Sequence, residues 1–122
     1  MKLYESSEDY LEQILVLTNE KGQIRSIDIV ESMNFSKPSV SVAMKKLREN
    51  GYIEIDSKGY IKLTSLGEEA ANKTYERHLV LSSFFEKIGV SEENALKDAC
   101  RVEHDLSDET FNALKKHIET MK

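Results

Sequence analysis

A chain of 122 residues, 39% hydrophobic and 32% charged, holds one compact domain or a small domain with a helical extension; two large domains and a disordered polymer are excluded. No apolar run approaches the roughly 20 residues of a membrane span, and the start, MKLYESSEDY, lacks the apolar core of a secretory leader, so no membrane partner is expected and the cytoplasm is the expected compartment. The single cysteine cannot form an internal disulfide, and the net charge of −5 argues at first against a nucleic-acid partner.

From Ser7, the apolar positions Tyr10, Leu11, Ile14, Leu15 and Leu17 recur at helical spacing and predict a first helix that ends near Asn19 to Gly22. SIDIVESM predicts a short second helix with Ser26 as its N-cap. In NFSKPSVSVAMKKLRENGY, Ser36 can cap a third helix, Pro38 sits in a first turn where its missing donor costs nothing, and Gly51 supplies the left-handed stop. Val40, Met44 and Leu47 give this helix a buried stripe. After Gly51 the hydrophobic pattern becomes alternating, and YIEID and YIKLT, joined by Ser57, Lys58 and Gly59, predict a β-hairpin.

Ser65 and Glu68 have capping-box spacing and open a fourth helix. It runs without a breaker to Gly89, about 35 Å if fully helical. Along it Ala71, Thr74, His78, Leu81, Phe85 and Ile88 form one seam. Ser91 caps a fifth helix reaching about Leu106, and Ser107 caps a sixth with Phe111, Leu114, Ile118 and Met121 in a second seam. The expected fold is therefore mainly α: an N-terminal winged helix-turn-helix over residues 1–64, followed by an all-helical domain over residues 65–122. The later seams exceed what so small a unit needs, which predicts a homodimer interface.

Charge is segregated along this plan. Residues 1–20 carry one base and five acids, residues 21–65 eight bases and five acids, and residues 66–122 eight bases and twelve acids. Lys and Arg drive phosphate binding, so the basic middle third, with the third helix and the hairpin, is where double-stranded DNA would be met.

One cluster offers chemistry. Ala95, Ala99, Val102 and Leu106 form the apolar stripe of the fifth helix, and Cys100, Glu103 and His104 lie beside it at i, i+3 and i+4. Thiolate, carboxylate and imidazole within one turn suit a divalent transition metal. On this helix alone, a buried free cysteine beside a solvated Glu-His pair is the better account. A lone histidine such as His78 in a helical seam is more often a hydrogen-bonded core residue, yet two histidines facing one interior are costly unless something satisfies both. Asp9 and Glu12 in SEDYLEQI fall on the polar face of the first helix, where plain solvation accounts for them, and His117 reads as a surface residue. A metalloenzyme is not expected, since no glycine-rich loop or pocket-forming insertion accompanies these residues.

SEDYLEQI, the segment FSKPSVSVAMKKLRENGYI, the ERH of the long helix and ACRVEHDLS, in that order and at those separations, resemble the diphtheria toxin repressor and manganese transport regulator family over almost the whole chain. The resemblance implies a metal-dependent transcriptional repressor of metal-uptake genes, a homodimer in which each subunit reads half of a palindromic operator. It implies Asp9, Glu12, His78, Cys100, Glu103 and His104 as ligands of Mn(II) or Fe(II). Such coordination would pin the two domains together and set the two recognition helices about one DNA turn, roughly 34 Å, apart. It also implies Ser36, Lys37, Pro38, Ser39 and Ser41 as contacts to phosphates and thymine methyls and puts Val42 at a base-reading position; Lys45, Lys46, Lys58 and Lys62 are expected on phosphates.

The chain is a hybrid of the two branches it resembles. The manganese branch has a carboxylate where Cys100 stands, and the iron branch a methionine where Asp9 stands. Hard carboxylates favour Mn(II), whereas a thiolate raises affinity for Fe(II), Co(II) and Zn(II), so the ligand set points both ways. The iron branch's second site uses an acid four residues after the histidine; Ser82 stands there, so that site is not expected. The third domain of the iron branch and the longer last helix of the manganese branch are likewise not expected. The alternative function is a winged-helix regulator that senses a small organic molecule, with Cys100 and the histidines structural.

Overall fold

The computed structural model describes residues 5–121. Two compact units divide it, one reaching to Lys73 and the other starting at Thr74. Among the described residues no helix is long and apolar enough to cross a membrane.

The first unit contains α1 (Glu5–Lys21), α2 (Ser26–Met33), α3 (Lys37–Glu49), the strands β1 (Ile53–Ile55) and β2 (Ile61–Leu63), and the opening turns of α4 (Ser65–Lys87). Leu11, Ile14 and Leu17 of α1 meet Ile29 of α2, Val40, Met44 and Leu47 of α3, and Ile53 and Ile61 of the hairpin in one buried cluster. Each such side chain contributes about 1.5–3 kcal/mol on full burial, so this unit has an apolar core of its own. Phe35, just ahead of α3, stands edge-on to the Tyr10 ring of α1 at 5.7 Å between centroids, fastening α1 to the turn that launches α3.

Asn34, at φ 55°, makes the left-handed turn between α2 and α3 that its short polar side chain tolerates. The Ser36 hydroxyl then accepts the Ser39 N–H at 3.2 Å, with Pro38 in the first turn as the sequence suggests. The start of α2 differs from expectation. Arg25 holds the extended N-cap position and its N–H donates to Asp28 Oδ2 at 2.8 Å, while Ser26 is already helical. The acid three residues on therefore caps α2, not the serine.

β1 and β2 pair antiparallel, Glu54 opposite Lys62. Their turn is set by Asp56, whose Oδ1 accepts the N–H groups of Lys58 and Tyr60, both at 2.9 Å. A third extended segment joins them that the hydrophobic pattern does not show: the Ile61 N–H donates to the Ile24 carbonyl at 2.8 Å. Next to it, the Arg25 guanidinium lies 4.4 Å from the Tyr60 ring centroid. At the start of α4 the cap is Thr64 rather than Ser65, since its hydroxyl donates to the Gly51 carbonyl at 2.6 Å and accepts the Gly67 N–H at 3.1 Å. Gly67 is required where α4 passes the hairpin, because a Cβ there would overlap the Tyr52 carbonyl oxygen.

The second unit comprises the rest of α4 with α5 (Glu92–Val102) and α6 (Asp108–Glu119). Ser91 and Ser107 cap α5 and α6 by accepting the Asn94 and Thr110 N–H groups. Its buried apolar residues are few, Leu81, Ala95, Ala99 and Phe111, and they share the interior with Thr74, Arg77, Ser82 and Glu103. The Ser82 hydroxyl donates to the Leu79 carbonyl of its own helix. Of the expected α4 seam, Ile88 is 57% exposed, alongside the exposed Leu79 and Leu96. The fifth helix ends at Val102 rather than Leu106. There the Glu103 and Leu106 carbonyls accept from Arg77 of α4 instead of continuing the helical ladder.

Candidate metal centre

Within the second unit, α4 contributes His78, the last turn of α5 contributes Cys100, and the turn that follows contributes Glu103 and His104. Their polar atoms converge. His78 Nδ1 lies 3.1 Å from Glu103 Oε2 and 3.8 Å from Cys100 Sγ, and His104 Nε2 lies 3.5 Å from Glu103 Oε1. One ligand atom from each of His78, Cys100 and Glu103 falls within 4.8 Å of the other two.

This arrangement reverses the burial expected from helical spacing. Cys100 is exposed, whereas the Glu103 and His104 side chains are only 1% and 2% exposed. Glu103 is the C-cap of α5, still in helical geometry with its N–H donating to the Ala99 carbonyl at 3.0 Å, and it faces the interior together with buried Ala95 and Ala99.

The donors fit a divalent transition metal. A buried carboxylate is costly without compensating positive charge, and Glu103 stands between two imidazoles with a thiol beside one of them. Ligands bound about 2.0–2.3 Å from one ion are roughly 3–4 Å from each other, which is the spacing already present between His78 and its two neighbours. Softness is mixed, with one carboxylate, imidazoles and a thiol. Asp9 and Glu12 belong to the first unit: they stand one turn apart on α1, partly buried, with a carboxylate oxygen of each within 4.8 Å of the other. Partial burial is more than plain solvation predicts for them. His117 is exposed on α6, in agreement with the sequence.

The sequence pattern missed Arg77. It is buried, and its Nη1 donates to the carbonyls of Glu103 at 3.0 Å and Leu106 at 2.6 Å. Nη2 pairs with Asp108 Oδ1 at 2.7 Å. The available signal was its position, three residues after buried Thr74 and four before buried Leu81, where a cation needs partners.

In the first unit the residues expected at DNA are all surface residues. Ser36, Lys37, Pro38, Ser39, Ser41, Val42, Lys45 and Lys46 of α3 and its cap are exposed, as are Lys58 and Lys62 of the hairpin. The opposite face of α3 is buried through Val40, Met44 and Leu47. Val42 is 55% exposed, an apolar side chain on the basic face of a helix that α2 and the turn at Asn34 present in helix-turn-helix fashion.

Known proteins share this plan. Residues 2–68 match the family model "Iron dependent repressor, N-terminal DNA binding domain", and residues 64–122 match "Iron dependent repressor, metal binding and dimerisation domain". The chain is 36% identical over 108 residues to the transcriptional regulator MntR of Escherichia coli O6:H1, covering 88% of this chain and 70% of that one. It is 38% identical over 102 residues to the HTH-type transcriptional regulator MntR of Geobacillus kaustophilus, covering 84% and 72%. Among solved structures it resembles the manganese regulator SloR with a TM-score of 0.80 and 28% identity over 93% of this chain. The chain spans about half the length of that structure, 53%.

Proposed function

The chain belongs to the iron-dependent repressor family of metal-dependent transcriptional regulators, and on that premise we propose that it is a cytoplasmic, homodimeric repressor that binds palindromic operator DNA when loaded with Mn(II) or Fe(II) and controls metal-uptake genes. The family is one of regulators, not enzymes. The observation that carries the reading is the buried Glu103 carboxylate set between His78 and His104, with Cys100 next to His78. A small-molecule sensor has no use for that convergence of charge.

The proposed ligands in the second unit are His78, Cys100, Glu103 and His104; Asp9 and Glu12 of α1 complete the set on the sequence resemblance. A bound divalent cation supplies the positive charge that balances these carboxylates and the directed bonds that imidazole, thiolate and carboxylate share. The chain's own residues do the rest. His78 and Glu103 hold α4 and the turn after α5 together, α3 offers its exposed serines and lysines to the DNA backbone, and Val42 offers a methyl contact to thymine. Metal loading and DNA affinity are then linked by a coupling free energy. The likeness to the manganese regulator SloR favours manganese, and the thiol of Cys100 favours iron, so both ions belong in the test.

Glu103→Ala and His104→Ala test the proposal. In fluorescence anisotropy with a labelled duplex selected from a random pool, each variant should lose metal-dependent binding while keeping the helical circular dichroism of the parent. Metal activation that survives both substitutions would place the sensor elsewhere.

A further inference from the structure

Glu103 is held at both ends by adjacent residues of α4. Its carboxylate meets His78 Nδ1 at 3.1 Å, and its main-chain carbonyl accepts from Arg77 Nη1 at 3.0 Å. The same Nη1 reaches the Leu106 carbonyl at 2.6 Å, and Nη2 reaches Asp108 Oδ1 at 2.7 Å. The guanidinium carbon lies 5.1 Å from the centroid of the buried Phe111 ring, which backs the fork. A guanidinium is planar and carries its donors in a fixed pattern. Three attachments spread over residues 103–108 are therefore registered against α4 together.

That registration matters because of where the candidate ligands stand. Glu103 is the C-cap of α5: its N–H still donates to the Ala99 carbonyl, but its own carbonyl accepts from Arg77, and His104 lies in the turn beyond it. A carboxylate is placed only as well as its own backbone. We infer that Arg77 is the positioning residue of the metal centre: it clamps the turn after α5 to α4, so that Glu103 and His104 meet His78 already arranged for a divalent cation. The inference rests on the metal-binding reading above. Arg77 binds the Glu103 main chain while His78 binds its carboxylate, which separates the positioning role from the ligand role. Supports of this kind, one step out from the ligands, change metal affinity by about 10–100-fold.

The test is Mn(II) titration of the full chain, with free Mn(II) read by electron paramagnetic resonance, for the parent, Arg77→Gln, Arg77→Lys, Asp108→Asn and Glu103→Ala. Arg77→Gln should weaken Mn(II) binding about 10–100-fold at a temperature where circular dichroism shows it folded. Arg77→Lys should recover part of the loss, because it keeps the charge and lacks the fork. Asp108→Asn should give a smaller weakening, and, with its side chain 66% exposed, it keeps the question decidable together with Arg77→Lys if Arg77→Gln does not fold. A lowered unfolding midpoint with unchanged Mn(II) affinity in these variants overturns the inference and leaves Arg77 a structural cation. Equal Mn(II) binding by the parent and Glu103→Ala overturns the metal-centre reading and this inference with it, a result told apart because Arg77 is intact in that variant.

Discussion

The two units bury different things. The first closes over a continuous apolar cluster from Tyr10 to Ala71, whereas the second buries Leu81, two alanines and Phe111 together with Arg77 and Glu103. Apolar burial needs no partner and stabilises the first unit by itself. Buried ions hold only while every charge is answered, so the second unit is the one whose stability a cation can change. The difference matches the proposed roles, with the first unit as the platform for α3 and the hairpin and the second as the metal-responsive unit.

The largest effect of a single substitution is expected in the apolar cluster. Leu11→Ala should destabilise the first unit by about 2–5 kcal/mol in urea unfolding, and the loss should be the same with and without Mn(II). A loss below about 1 kcal/mol, outside the range for a buried leucine, would show that this core is not what holds the unit.

The second unit should respond in the opposite way. Mn(II) at a hundredfold excess over its dissociation constant should raise the parent's stability by about 2.7 kcal/mol, and Glu103→Ala should abolish that gain while leaving the metal-free midpoint of the first unit in place. Differential scanning calorimetry with and without chelator reads both.

On the surface of the first unit the effects become modest and electrostatic. Lys45→Ala and Lys46→Ala should each lower DNA affinity nearly uniformly across sequences and reduce the slope of log affinity against log salt by about 0.9. An unchanged slope would remove these lysines from the phosphate contacts.

The smallest expected effect lies at the start of α2. The Arg25 backbone N–H, together with nearby Lys21, holds the Asp28 carboxyl below the usual carboxylate range. A carboxyl with a lowered folded pKa contributes stability above its unfolded pKa and loses it as the pH falls through the folded value. Asp28→Asn should therefore cost about 0.3–1 kcal/mol near neutral pH, and the gap from the parent should close in acid. A gap that is constant with pH would detach the effect from the charge.

The same contrast explains how much was legible in the sequence. Ser36, Ser91 and Ser107 mark helix starts correctly because a cap is a contact between residues three apart. Ser26 and Ser65 miss by one residue because Asp28 and Thr64 compete for the same local role. The Ile24–Ile61 bridge and the Arg77 fork escape the pattern because partners far along the chain decide them. The spacing of Cys100, Glu103 and His104 marked the cluster, but not that Cys100 would be exposed and the Glu103 and His104 side chains buried beside Arg77, which binds the Glu103 carbonyl from far along the chain. Asp9 and Glu12 carried no signal of their own beyond a polar helix face; only the order of motifs along the chain singled them out.

The proposed function stands or falls on whether metal loading switches DNA binding. Anisotropy of the parent chain at low salt, on a duplex selected from a random pool with Mn(II) present, measures it directly, with Fe(II) tested anaerobically. Binding should be saturable, tighter with Mn(II) or Fe(II) by about 5–150-fold, and reversed by a chelator. Equal affinity with metal and with chelator would contradict the proposed function.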